Sequence, residues 1–199
     1  MAICLSEESI VKIRAGLPVY KSIKRMVDKC KEKAFLCETF QKTFDGFYKI
    51  RRDAEWRKKY FQFMHKHFND NPSDKPSFEA TLGALRGFGK DSVEPSFASK
   101  LLHTLDNDLP IWDSIVTVFL EKENVIVKPK RCDADYEKKC AATYEKMVNW
   151  YKSDKAKEYA AYFETIFPGE PISEAKKIDF ILWGLGAEND DPCSRCTRK

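Results

Sequence analysis

Apolar residues recur along this chain at spacings of three and four, the period of a helix with one buried face. Val19, Ile23, Met26, Val27 and Cys30 follow that pattern, and so do Trp56, Tyr60, Phe61, Met64 and Phe68. Strict alternation bounded by hairpin turns recurs nowhere, so the pattern predicts an all-α fold, a single globular multi-helix domain. Ser6 is placed to cap a first helix through Ile13, with Gly16 and Pro18 as its stop. Further helices are expected from Val19 to Lys33, from Ala34 to Ile50, and from a cap at Asp53 through Phe68. Ser77 caps the next, through Arg86, before Gly87-Phe88-Gly89-Lys90 breaks it. Two helices follow near 95–105 and 111–122, and three more near 134–152, 154–166 and 173–185. Asn124 to Pro129 reads as a short extended piece without a partner strand. Residues 1–186 are expected to form one domain and the polar residues 187–199 a loose tail.

Composition narrows the class without naming a function. Charged residues make up 33% of 199, yet 35 basic and 31 acidic side chains nearly cancel, leaving +4. Such a balance permits a nucleic-acid partner but does not demand one. No stretch approaches the roughly 18 apolar residues of a membrane span, and the N-terminus lacks a signal peptide's basic flank and apolar core. A cytoplasmic protein without membrane contact is expected. Seven cysteines cannot all pair within the chain, and free thiols suit a reducing compartment. Cys193 and Cys196 have half the spacing of a zinc site. Cys132 and Cys140 are the candidates for the other half, at unusual separation, so no metal and no cofactor is expected.

The densest chemistry lies in Ser96-Phe97-Ala98-Ser99-Lys100-Leu101-Leu102-His103, followed through a short polar turn by Leu109-Pro110-Ile111-Trp112-Asp113-Ser114-Ile115-Val116. Asp113 stands where a second apolar helix begins. A carboxylate there is favoured by free backbone N–H groups and by the helix dipole. It is either a cap alone or an ionised group held ready for chemistry. Together with Gly87-Phe88-Gly89 upstream, this stretch resembles the helix-hairpin-helix DNA glycosylase superfamily. The likeness covers about 30 of 199 residues.

The resemblance implies a glycosylase-like helical core. Asp113 would stabilise positive charge developing on the sugar, and Gly87, Gly89 and Lys90 would meet the DNA backbone. Trp112 and His103 are candidates to line a base pocket. Bifunctional members carry a lysine nucleophile near the position of Ser96, and Lys100 falls one turn later. Water would therefore be the nucleophile of a monofunctional enzyme. From Gly89 to Asp113 is 24 positions, more than the superfamily usually leaves, and the cysteines do not reproduce the iron–sulfur spacing of some members. The order Phe47-Tyr48-Lys49-Ile50-Arg51-Arg52, Glu55-Trp56-Arg57, then the two central motifs, is also similar to a group of bacterial proteins without an established activity.

The basic run Lys49, Arg51, Arg52, Arg57, Lys58, Lys59 and Lys66, with Tyr48, Trp56 and Tyr60 between, is the candidate phosphate-binding stretch for duplex DNA. The contrasting expectation is a non-enzymatic helical protein acting through protein–protein contacts. In it Asp113 is a cap and Arg51, Arg52 and Arg57 form internal ion pairs.

Overall fold

A computed structural model describes residues 3–30, 35, 37–68, 70–71, 74–89 and 92–188. Among these residues there are nine helices and no strand. They are α1 (Glu7–Cys30), α2 (Glu38–Tyr48), α3 (Ala54–Phe68), α4 (Phe78–Arg86), α5 (Pro95–Leu105), α6 (Ser114–Lys122), α7 (Tyr136–Tyr151), α8 (Asp154–Ile166) and α9 (Glu174–Glu188). The all-α reading holds.

Local chemistry sets most of the boundaries. Ser6, Asp53, Ser77 and Ser153 each accept the backbone N–H three residues on, at 3.2, 2.8, 3.1 and 3.2 Å. Lys49 closes α2 in a left-handed conformation, φ 55°, which turns the chain before Ile50 can extend the helix. Asn124, φ 57°, does the same after α6: the Val125 N–H returns to the Leu120 carbonyl at 2.9 Å. Residues 124–129 form no strand.

Gly16 and Pro18 do not stop the first helix, which runs through both to Cys30. A proline inside a helix removes one backbone bond and crowds the carbonyl four residues back, here that of Arg14. Pro18 and Arg14 both face solvent, where water can serve that carbonyl. Ser9, Ile13, Leu17, Tyr20, Ile23 and Val27 make one buried stripe across the proline, and their burial outweighs the lost bond. Val19, expected on the buried face, is 37% exposed.

Helix α9 organises the packing. It lies against α1, α6 and α8, while α4 packs on α5 and α7. Two glycines let it approach closely. A Cβ on Gly186 would stand 2.5 Å from Ile115 Cγ2, and one on Gly184 2.7 Å from Leu5 Cδ2. The start of α6, which carries Asp113, is thereby pressed onto α9. Helix α9 continues to Glu188, past residue 187 where a loose tail is expected to start; residues 189–199 lie outside the described residues.

Candidate functional site

The connection 106–113 is tied down from several elements. Ser99 Oγ accepts the Trp112 N–H at 2.8 Å. His103 Nδ1 pairs with the Leu109 carbonyl at 2.7 Å, so this nitrogen carries the proton. His103 Nε2 is then the acceptor for the Tyr20 hydroxyl at 2.9 Å. Tyr144 donates to the Pro110 carbonyl at 2.9 Å, and Ser173 to that of Asn107 at 2.7 Å. The motif thus reads physically: Ser99 and His103, one turn apart on α5, hold the strand-like run that delivers Asp113 to α6.

Asp113 is the N-cap of α6, with φ −98° and ψ 149°, and its Oδ1 accepts the Ile115 N–H at 2.8 Å. The residue is half-buried. Behind it is a group of enclosed charges. Every residue from Ala98 to Leu105 is buried, Lys100 among them. The Lys100 ammonium donates to the Tyr48 carbonyl at 3.1 Å and faces the rings of Tyr48 and Phe97. Lys176 also lies near Tyr48, ringed by Tyr20, Phe47, Tyr48 and Phe180 at 4.6–5.9 Å. Its ammonium bonds Asp179 Oδ2 at 2.6 Å, and Asp179 Oδ1 has no hydrogen-bond partner.

Burial sets the electrostatics of this group. It lowers the affinity of Lys100 for its proton, partly offset by the charges of Asp113 and Asp179. It raises the Asp179 carboxyl above the usual carboxylate range; Lys176 opposes this and Asp113 adds to it. Asp113 is therefore within electrostatic reach of both Lys100 and Asp179. The buried Tyr151 hydroxyl also feels Asp179 and Asp113 and has no partner of its own. Burial takes His103 down to about 3, so it is neutral at physiological pH.

The other expected site residues do not converge on Asp113. Trp112 and His103 are 4% and 1% exposed and belong to the core. His103 spends both ring nitrogens on the Leu109 carbonyl and the Tyr20 hydroxyl, and the Trp112 ring stacks on Phe78. Arg52 pairs with Glu94 and lies over the rings of Trp56 and Phe97; Arg57 pairs with Asp45 at 3.0 Å. Both guanidinium groups are committed to a carboxylate rather than free as phosphate clamps. Tyr48, Trp56 and Tyr60 are core residues. Lys49, Arg51, Lys58 and Lys66 are exposed and form no ion pair among the described residues. Gly87 and Phe88 donate their N–H groups back to Ala84 and Leu85, closing α4, so these two are not free for phosphate. Gly89 is exposed, and Lys90 lies outside the described residues.

Two surface concavities, of about 450 and 240 Å³, lie beside Arg86 and Tyr136 and beside Lys157 and Glu164; neither includes Asp113. Cys132 is exposed and Cys140 buried, and Cys193 and Cys196 lie outside the described residues. Among the described residues no three metal-ligating side chains gather, and no helix is long and apolar enough to cross a membrane. No family model, curated protein or solved structure matches the chain.

Lys100, Lys176 and Asp179 were not singled out by pattern as a cluster. The signal was partial: Lys100 is the one charge in the run Phe97–Leu102, and Asp179 stands between Ile178 and Phe180 with Lys176 one turn before it.

Proposed function

We propose that this protein binds DNA and hydrolyses an N-glycosidic bond, with Asp113 as the reactive carboxylate. One observation carries the reading. A half-buried carboxylate at a helix N-terminus is backed by Lys100, Lys176 and Asp179, all enclosed. A plain cap needs one oxygen and one N–H, and buried ion pairs are often no better for stability than apolar residues of similar volume. Perturbed charges concentrated at one place are a mark of functional sites. In the reaction, water attacks the sugar carbon and the carbon–nitrogen bond breaks. The base leaves with the electron pair, and the water's proton passes to Asp113. The carboxylate charge stabilises the cation developing on the sugar.

A second reading has its own support. The Arg52–Glu94 and Arg57–Asp45 pairs and the enclosure of Trp112 and His103 are what a non-enzymatic helical interaction protein would show.

Asp113→Asn separates the two, because Asn can still accept the Ile115 N–H. The cap itself should lose about 1 kcal/mol or less. Base release from a panel of damaged duplexes should fall by orders of magnitude, with melting temperature changed by a few degrees. Undiminished release by the variant overturns the role of Asp113. Release of no base by the natural protein leaves the interaction reading standing.

A further inference from the structure

Besides Lys49, Arg51, Lys58 and Lys66, unpaired cations are found on the connection between α6 and α7. Residues 128–131 read Lys-Pro-Lys-Arg. Lys122, Lys128, Lys130, Arg131 and Lys138 make no ion pair among the described residues, and all but the half-buried Lys128 are exposed. Of the carboxylates around them, Glu121 and Asp133 hold the connection's own backbone, and Glu123 and Glu137 pair with residues outside it. Glu121 accepts the Lys128 backbone N–H at 2.9 Å. Asp133 accepts the Lys130 backbone N–H at 3.1 Å and pairs with Lys139 at 3.3 Å. Glu123 pairs with Lys155 and Glu137 with Arg86, both at 2.9 Å. Asp135 and Glu121 are the acidic side chains without an ion pair on this stretch among the described residues.

The connection is also held in shape. Ile126 is buried as its anchor, Thr143 donates to the Val127 carbonyl at 3.3 Å, and Pro129 stiffens the run. We propose that this connection docks the phosphate backbone of DNA, in place of the paired Arg52 and Arg57. The inference rests on the DNA reading above. Spacing supports it: α6 has nine residues, so the connection begins about 14 Å from Asp113. That is about four base-pair steps along a duplex. A lipid surface fits less well, because the apolar side chain exposed here is a single valine, Val127.

The test is duplex binding by fluorescence anisotropy across salt concentrations. It compares the natural chain, a Lys128→Ala/Lys130→Ala/Arg131→Ala variant, and a charge-matched Lys29→Ala/Lys146→Ala/Lys152→Ala variant. Melting curves verify that each is folded. Loss of three phosphate contacts should flatten the slope of log affinity against log salt by up to about 2.7, at about 0.9 per contact. The charge-matched variant should change it by less than about one contact's worth. Equal effects of the two variants, or none from the first, overturn the docking surface while leaving DNA binding intact. A natural chain that binds no duplex at low salt overturns the DNA reading and this inference with it. Binding to phosphatidylserine vesicles but not to duplex has the same consequence and assigns the connection to a lipid surface.

Discussion

Asp179→Asn is the most direct probe of the enclosed charges. The substitution keeps the shape of the side chain and removes its charge. Lys176, 3% exposed, is left without a counter-ion 2.6 Å away. Breaking a buried pair from one side costs about 3–5 kcal/mol. Two features reduce that figure here. The rings of Tyr20, Phe47, Tyr48 and Phe180 still attract the ammonium. The repulsion between Asp179 and Asp113 is relieved. A loss of about 3 kcal/mol is expected, or about 6–12 °C in melting temperature for a chain of this size. Urea unfolding with a second variant, Lys176→Met, completes a cycle. Each single change should be costly, and Lys176→Met/Asp179→Asn together should be less so than their sum, because the double variant buries no unpaired charge. Additivity of the two, or a loss below about 1 kcal/mol for Asp179→Asn, refutes the claim that this pair is a coupled buried unit.

His103 gives a pH dependence of definite sign. Its folded value of about 3 lies below the unfolded 6.5, so stability is complete above pH 6.5 and falls as the pH drops from there toward 3. The slope should reach about 1.4 kcal/mol per pH unit from this group and be shallower by that amount in His103→Gln; parallel slopes in urea unfolding would refute it. Pro18→Ala should stabilise the protein by up to about 3 kcal/mol, since it restores a helical N–H on an exposed face. A lower urea midpoint for that variant would show that the proline fits a bend that α1 needs.

Where the chain carries its own end signals, the elements were legible. Ser153 caps α8, which spans Asp154–Ile166 as periodicity predicts. Asp53 and Ser77 work the same way. Gly16 and Pro18 misled because a local breaker was set against a burial stripe that only the packed fold reveals. Asp113 could be placed at a helix start from sequence, but Ser114 rather than Ile111 begins α6, because Ser99 and His103 hold the preceding residues extended. The ion pairs of Arg52 and Arg57 join residues 42 and 12 positions apart, beyond the reach of helical spacing. The same limit hid the cluster: Lys100 and Lys176 meet over the ring of Tyr48 from three separate helices.

The two functional readings make opposite demands on those charges. In a hydrolase whose Asp113 acts in the field of Lys100, Lys176 and Asp179, their removal alters base release. In an interaction protein they serve only to select one packing of the core, and apolar replacements of similar volume should be tolerated. Lys176→Met/Asp179→Asn should recover stability in both cases, so stability alone does not divide them. Base release by a variant that is folded and as stable as the natural chain does. A fall in release there ties the enclosed pair to the chemistry of Asp113 through the field it exerts, since neither side chain reaches the surface to touch DNA. Unchanged release assigns the pair to the architecture of α9 and leaves Asp113 to act on its own.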